Sequence, residues 1–314
     1  MDGFLITGGA GFIGSHLADA LLAAGQRVRV LDDLSTGRRG NLDARCELVV
    51  GDVADPVAMR QAMAGMAGCF HLAAIASVAR ANADWRGTHR INQTGTVTVL
   101  EAARDAGRLP VVYASSAAVY GDLGGAVARE DMAPAPLTAY GADKLGSELH
   151  ARVAWLVHGV PALGLRFFNV YGPRQDPASP YSGVVSIFAA RLGRGQDVTM
   201  HGDGSQTRDF VFVADVVAHL QAAMRRLRGQ SGSWVLNVCT GRATSVRELA
   251  ATLAGLLGTA ARLEHGPARP GDIARSLGNP AAAIAALGLA AGIRLEQGLA
   301  ATLASLAEGN PPVP

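Results

Sequence analysis

The sequence predicts an α/β fold, a Rossmann-type doubly wound parallel sheet carrying a smaller C-terminal α/β lobe. Three observations lead there. A short apolar run at residues 4–7 meets glycines at three-residue intervals (Gly8, Gly11, Gly14) and then a helical pattern over 15–24. Further apolar runs recur at 28–31, 48–50, 69–72, 111–114 and 162–165, and such runs are what strands covered on both faces require. Helical patterns fill the gaps, as at 92–106 and 140–158, and strands alternating with helices indicate a doubly wound sheet.

The first strand and its glycines carry the clearest chemistry. One glycine lets the chain turn sharply off the strand. Another lets the backbone approach a pyrophosphate with no Cβ in the way, and the third lets helix and sheet pack closely. The next helix directs its partly positive N-terminus at the phosphates. Past the second apolar run stands Asp32, placed to accept hydrogen bonds from a ribose diol. A carboxylate there repels the extra phosphate of NADP, so NAD is the expected dinucleotide. The spacing is Gly-x-x-Gly-x-x-Gly, and a tight turn with no ligand is the alternative that the flanking strand, helix and acid argue against.

Ligands on such sheets bind beyond the carboxyl ends of the strands. That rule points to Asp52 and Val53, to Leu72, Ala73 and Ala74 after His71, and to Ser115 and Ser116. Asp52 either holds an adenine amino group or caps a loop or helix.

From about Asn169 the texture changes. Residues 173–183 are rich in Pro, Ser and Gly, a loop of the kind that carries function. A helical run at 185–192 leads to an apolar stretch from 198, then a strand-like segment at 209–213 and a helix from about 216. A strand at 234–238 precedes a helix at 246–257, and two Ala-rich helical stretches close the chain. The expected division is a dinucleotide-binding domain over 1–169 and a smaller lobe over 170–314 closing over it. Elements around 209–238 are expected to rejoin the first domain.

Composition excludes several classes. With 314 residues, 49% hydrophobic and 17% charged, the chain suits a compact soluble enzyme rather than a disordered one. A net charge of +2 with scattered basic residues gives no field for nucleic acid. The first strand begins at once, so no signal peptide is expected, and the apolar run at 281–293 is too short for a membrane span. Cys46, Cys69 and Cys239 are too few and too far apart for disulfides or a zinc site. Cys69 and Cys239 lie in strand-like runs, so buried thiols at these two in a reducing cytoplasm, with no metal, are the expectation.

Tyr140 and Lys144 stand four apart on a helical pattern and so share a face. An ammonium beside a phenol favours the phenolate, a nicotinamide cation nearby favours it further, and this turns Tyr140 into a base usable near neutral pH. Ser116, ending a strand beside that helix, is placed to bridge a substrate oxygen and Tyr140. Taken alone, a tyrosine and lysine at this spacing are as readily a surface pair.

The motifs taken together go further. They are Thr7-Gly8-Gly9-Ala10-Gly11-Phe12-Ile13-Gly14, Ser115-Ser116-Ala117-Ala118-Val119-Tyr120-Gly121, Tyr140-Gly141-Ala142-Asp143-Lys144 and Arg166-Phe167-Phe168-Asn169-Val170-Tyr171-Gly172-Pro173-Arg174. To these are added Gly202-Asp203-Gly204 with Arg208-Asp209, and Arg269-Pro270-Gly271-Asp272. Over residues 4 to about 306 the chain resembles the extended short-chain dehydrogenases/reductases, in the nucleotide-sugar epimerase and dehydratase group. The resemblance implies Tyr140 as catalytic base, Lys144 as its partner and ribose ligand, and Ser116 as the hydroxyl that helps move the proton. It implies NAD contacts from Gly8, Gly11, Phe12, Ile13, Gly14, Asp32, Asp33, Ser35, Thr36, Gly37, Asp52, Val53, Leu72, Ala73, Ala74 and Phe167. Asn169 matches a contact to the sugar diphosphate, and Arg208 and Arg269 match the arginines that clamp the phosphates, a task suited to a planar fork of donors. Surface salt bridging is the plainer role for both arginines. Asp272 matches an acid on the uridine ribose, Thr199 and His201 fall near the uracil, and Gly183, Val184 and Val246 complete the implied substrate contacts.

The members of that group share one opening step, oxidation at C4 of the sugar, and diverge in the steps after it. Dehydratases carry Asp-Glu where this chain has Ala117 and Ala118, the decarboxylase branch has a glutamate in the same loop, and uronic-acid epimerases tend to have threonine at the place of Asn169. The remaining reaction is 4-epimerisation of an uncharged UDP-hexose with tightly held NAD. Ser276 stands where a bulky tyrosine accompanies the glucose/galactose-only type, so the acetylated pair UDP-GlcNAc/UDP-GalNAc is expected to be accepted too. A lysine that some epimerases carry is replaced in the region of Ala76 and Ser77. A 4-keto reductase, another sugar-nucleotide oxidoreductase or dehydratase of the group, and a non-catalytic dinucleotide sensor stay as alternatives. The group also pairs the helices at 92–106 and 140–158, with apolar residues such as Leu145, Val153, Trp155 and Leu156, into the four-helix bundle of a homodimer.

Overall fold

Alternation along each central strand decides how this chain folds. The computed structural model describes residues 2–176, 183–259, 263–267 and 273–307, with backbone only at Val78 and Ala79. Its strands in chain order are β1 (Gly3–Thr7), β2 (Arg27–Asp32), β3 (Glu47–Val50), β4 (Gly68–His71), β5 (Val111–Ser116), β6 (Ala162–Phe167) and β7 (Asn169–Tyr171). Then come β8 (Val198–His201), β9 (Thr207–Arg208), β10 (Phe210–Phe212), β11 (Ser233–Val238), β12 (Thr244–Ser245) and β13 (Leu263–Gly266). The helices are α1 (Phe12–Ala23), α2 (Pro56–Met63), α3 (Val78–Ala83), α4 (Trp85–His89), α5 (Gly95–Asp105), α6 (Ala139–His158), α7 (Val184–Gly193), α8 (Val213–Gly229), α9 (Val246–Leu257), α10 (Ala281–Leu287) and α11 (Leu295–Ala307).

Among the described residues one sheet has seven strands, in the order β11-β6-β5-β4-β1-β2-β3, and every pairing in it is parallel. Successive side chains of a strand point to opposite faces. Phe4, Ile6, Val28, Val30, Phe70, Val112 and Leu163 accordingly enter one core, with Leu17 and Leu21 of α1 and Val216 and Leu220 of α8. Leu5, Leu31, Cys69, Val111 and Tyr113 enter the other, with Met59 and Met63 of α2, Val99 of α5 and Ala151 of α6. Each fully buried aliphatic side chain contributes about 1.5–3 kcal/mol, so neither face of the sheet can be left uncovered. The chain runs outward from β1 to β3, returns across the centre to β4, and continues the other way. The switch point between β1 and β4 is where such sheets bind ligands.

A third core lies apart from the sheet. Tyr171, Val185, Phe188, Leu192, Val198, Met200, Phe210, Leu249, Leu253 and Leu299 build it, bringing together α7, α9, α11 and the short strand pairs β10-β7 and β13-β8. Between this lobe and the sheet the chain makes a return trip, since β11 pairs with β6 at the sheet's edge. Asp209 fastens the crossing: its buried carboxylate accepts from the N–H and hydroxyl of Thr240 and from the N–H of Gly241.

The helix expected from Asn92 begins earlier. Asp84 caps α4 by accepting from the Gly87 N–H, and α4 continues into α5 through a π-helical turn over Arg90–Thr94. The wider turn is invisible to a 3.6-residue periodicity. It buries Asn92, whose side chain accepts from the Ile75 N–H and donates to the Ile75 carbonyl, and so pins the loop after β4. Among the described residues no helix is long and apolar enough to cross a membrane. Cys46, Cys69 and Cys239 are free thiols, the last two buried.

Candidate active site and dinucleotide cavity

The carboxyl ends of the central strands open into one cavity of about 1220 Å³. Its wall contains Gly8, Gly11, Phe12, Ile13, Gly14, Asp32, Asp33, Ser35, Thr36, Gly37, Asp52, Val53, Leu72, Ala73, Ala74 and Phe167, and also Ser116, Tyr140, Lys144 and Asn169.

The three motif glycines have separable reasons. Gly8 has φ +70°, and a Cβ there would lie 2.7 Å from the backbone of Ala73. A Cβ on Gly14 would lie 2.3 Å from the Gly8 carbonyl oxygen, so only glycine lets α1 sit this close to β1. At Gly11 a Cβ would meet only the Gly8 oxygen, at 3.3 Å, and would stand in the cavity itself. The first turn of α1 has no side-chain cap, which leaves its N–H groups and partial positive charge for an anion. Asp32 ends β2 almost buried; it accepts from the N–H groups of Ala10 and Leu34, and burial pushes its carboxyl up against their effect. A side chain at Gly37 would collide with that carboxylate at 2.7 Å. An open cradle, an uncapped helix and an acid one strand away fit a dinucleotide.

Asp52 does the work of a cap: it accepts from the Ala54 N–H at 2.8 Å and pairs with Arg90 at 2.5 Å. It also lines the cavity.

α6 carries Tyr140 and Lys144. Thr138 caps it, accepting from the Gly141 N–H, and Gly159 at φ +69° ends it. Ser116 ends β5 and accepts from the Ala118 N–H. Burial pushes the Tyr140 phenol up, and its hydrogen bond with Ser116 opposes that. The ammonium of Lys144 donates to the Ala114 carbonyl at 2.9 Å and lies over the Tyr140 ring, 5.8 Å from its centre. That position bears only on the amine's half of the expectation for Tyr140. The lysine is held against β5 over the ring, and the phenol of the protein alone stays protonated. Burial also brings Lys144 down to about 8, with the Asp143 carboxylate opposing.

A second cluster forms around 201–208. Gln206 donates to the His201 carbonyl and accepts from the Val246 N–H through its own carbonyl, while Ser276 donates its N–H to Thr207. Thr199 and His201 lie on β8, and Arg208 on β9 donates to the carbonyls of Thr207 and Ile273. Gly183 and Val184 begin α7, where Gly183 is the N-cap. Thr199, His201, Arg208, Gly183, Val184, Val246 and Ser276 all stand away from the wall of the large cavity, and Arg269 and Asp272 lie outside the described residues.

The wall also holds residues that a reading of the sequence did not single out. Arg80, Asp84, Gly87 and Arg90 come from the segment pinned by Asn92, and Thr302, Ser305 and Leu306 from α11. Arg174 and Asp176 reach it from the loop after β7, tied back by ion pairs to Asp19 and Arg38. Arg174 was visible inside the motif that starts at Arg166; the α11 residues lie in an Ala-rich helix with no signal. Among the described residues no group of His, Cys, Asp and Glu could hold a metal ion.

A sheet switching direction at a glycine cradle, with a serine, tyrosine and lysine converging beside it, defines a dinucleotide-dependent enzyme of the extended short-chain type. The chain belongs to the NAD dependent epimerase/dehydratase family, whose model matches residues 4–239. It is 39% identical over 314 residues to the UDP-glucose 4-epimerase of Mycolicibacterium smegmatis, covering 95% of this chain and 96% of that one. The structure of the Thermotoga maritima UDP-glucose 4-epimerase with UDP-glucose superposes with a TM-score of 0.93 at 33% identity, covering 98% and 99% of the two chains. The UDP-N-acetylglucosamine 4-epimerase of Methanobrevibacter ruminantium, in complex with UDP-N-acetylmuramic acid, gives 0.92 at 28% identity, covering 98% of each.

Beneath the cavity runs a buried polar line. The His71 ring joins Thr7 through Nδ1 at 2.8 Å and Thr96 through Nε2 at 3.1 Å, and Thr96 continues to Ser147 at 3.0 Å. Burial, then the charge of Lys144, lowers His71 from 6.5 to about 3. The unfolded chain therefore binds a proton between pH 6.5 and 3 that the folded chain refuses, and stability must fall as pH drops through that window, by about 1.4 kcal/mol per pH unit at most for one group. Urea unfolding of the parent and of His71→Gln at about pH 7 and pH 5 should show a smaller acid loss in the variant.

Proposed function

We propose that the chain interconverts UDP-hexoses that differ at C4, through a transient 4-keto sugar, with NAD held through the cycle. We assign the cofactor mainly to residues 1–169 and the nucleotide sugar mainly to 170–314, with the elements around 209–238 counted in the first domain. The observation that carries the reading is the convergence of Ser116, Tyr140 and Lys144 on the cavity beside Ala117 and Ala118, which offer no second acid or base. A bound oxidised NAD supplies reversible hydride storage and a positive charge close to the phenol. Under that charge Tyr140 would lose its own proton to solvent and act as the phenolate, accepting the proton of the sugar 4-hydroxyl with Ser116 bridging; the phenol so formed would return that proton when the keto sugar, turned over on its diphosphate, takes the hydride back on its other face. Lys144 orients Tyr140 by its fixed place on β5. A phenol that the protein alone keeps protonated suits a base that should act only when the site is loaded.

Epimerisation regenerates its cofactor, whereas a keto reductase consumes a reduced one. Purified protein incubated with UDP-Gal and no added dinucleotide should form UDP-Glc, and Tyr140→Phe should lower kcat by about 10²-fold or more. Turnover only when reduced cofactor is added would favour the reductase.

The acetylated pair UDP-GlcNAc/UDP-GalNAc belongs to the same proposal. Its supports are the small side chain at Ser276 and the similarity to a UDP-N-acetylglucosamine 4-epimerase. Ser276→Tyr should depress kcat/KM for the acetylated pair while sparing UDP-Gal; equal effects on both would refute it.

A homodimer through α5 and α6 is proposed from the outer face of α6. Leu149, Val153, Leu156 and Val157 recur at helical spacing and are 57%, 49%, 66% and 68% exposed, an apolar stripe that a partner helix would cover. Sedimentation should show a dimer for the parent and a monomer for Val153→Lys/Leu156→Lys; a monomeric parent would end this idea. The free thiols Cys46, Cys69 and Cys239 suit a cytoplasmic setting.

A further inference from the structure

Tyr140, Lys144 and Glu148 stand at four-residue intervals on α6, and each engages a different residue of β5. Lys144 donates to the Ala114 carbonyl at 2.9 Å and Glu148 accepts from the Ser115 hydroxyl at 2.5 Å, while Tyr140 lies near enough to Ser116 for that hydroxyl to oppose the rise of its phenol. The third contact is anchored from behind. Arg166 of β6 grips Glu148 with both arms of its guanidinium, at 2.8 and 2.7 Å, and lies 4.6 Å from the centre of the Tyr120 ring. Tyr120 in turn donates to Asn237 of β11 at 2.7 Å.

All of this is dry. Ser115, Glu148 and Arg166 are buried at 1%, 7% and 4% exposure, and Arg166 Nη1 has no hydrogen-bond partner. A buried ion pair with an unsatisfied donor is a poor way to stabilise a fold, since an apolar pair of similar volume does as well or better. Its strength is in fixing geometry, because a bidentate fork tolerates one orientation. A helix packed on a sheet by apolar contacts alone can roll or slide by a fraction of a turn at little cost. A charged side chain two turns beyond Tyr140, clamped to the two strands beneath, removes that freedom.

We infer that Glu148 and Arg166 are positioning residues: with Ser115 they set the rotation of α6 on β5, and so the placement of Tyr140 and Lys144 in the cavity. This rests on the reaction proposed above for Tyr140. Two variants remove the pin in different ways. Ser115→Ala deletes one hydrogen bond, and Glu148→Met/Arg166→Met replaces the ion pair by apolar side chains of comparable length.

If the inference holds, the folded double variant loses kcat for UDP-Gal by about tenfold or more with KM within about twofold, and Ser115→Ala loses about threefold, the scale on which a slightly misplaced catalytic group costs rate. A crystal structure of the cofactor-free double variant should show Lys144 Nζ out of hydrogen-bond reach of the Ala114 carbonyl. A folded double variant with kcat unchanged and that contact intact would overturn it, as would a kcat loss matched by a rise in KM. If the double variant fails to fold, Ser115→Ala decides: unchanged kcat overturns the inference. A parent that binds NAD yet turns over no UDP-hexose would instead defeat the proposed reaction, and the crystal structure would still judge the positioning claim.

Discussion

The contact between α6 and β5 is the one on which the rest of the site depends. A tyrosine and a lysine four apart on a helix are ordinary until something fixes which way the helix faces. Here Lys144 and Glu148 of that helix bond to residues 114 and 115 of one strand, with Ser116 beside Tyr140. Everything beyond this is arranged to protect the strand itself: β5 lies between β4 and β6, and its alternate side chains reach into both cores.

Burial then sets the electrostatics. Burial raises the Tyr140 phenol, brings Lys144 down to about 8 and lowers His71 well below the usual imidazole range. All three shifts disfavour charge, as removal from water must. The fold therefore supplies position and a low-dielectric setting, and it leaves the phenol neutral. In the reaction proposed above, such a site stays quiet until the positive charge of the cofactor enters it.

The two halves of the chain were unequally legible. In the first half, buried parallel strands must be short apolar runs, and a glycine that a Cβ would push into Gly8 or Ala73 has no substitute, so pattern and structure coincide closely. Observed strands at 27–32, 111–116 and 162–167 enclose the apolar runs that signalled them. The π turn at Arg90–Thr94 was not legible, because one added residue per turn shifts the register without changing composition. Its consequence, Asn92 fastening the loop after β4, was equally hidden. In the second half, Thr199, His201, Arg208, Val246 and Ser276 came from resemblance rather than from spacing, and they gather around 201–208 away from the wall of the large cavity.

By itself the sequence determined the parallel sheet, the glycine cradle, the acid at the end of β2 and the tyrosine and lysine on one helical face, because each is a local demand of backbone geometry or periodicity. Tertiary structure alone decided that Lys144 would lie over the Tyr140 ring, that Glu148 and Arg166 would meet in the core between α6 and β6, and that α11 would contribute to the cavity wall. Those outcomes join residues far apart in the chain, and only the packing of α6 and α11 against distant strands brings such groups within bonding distance.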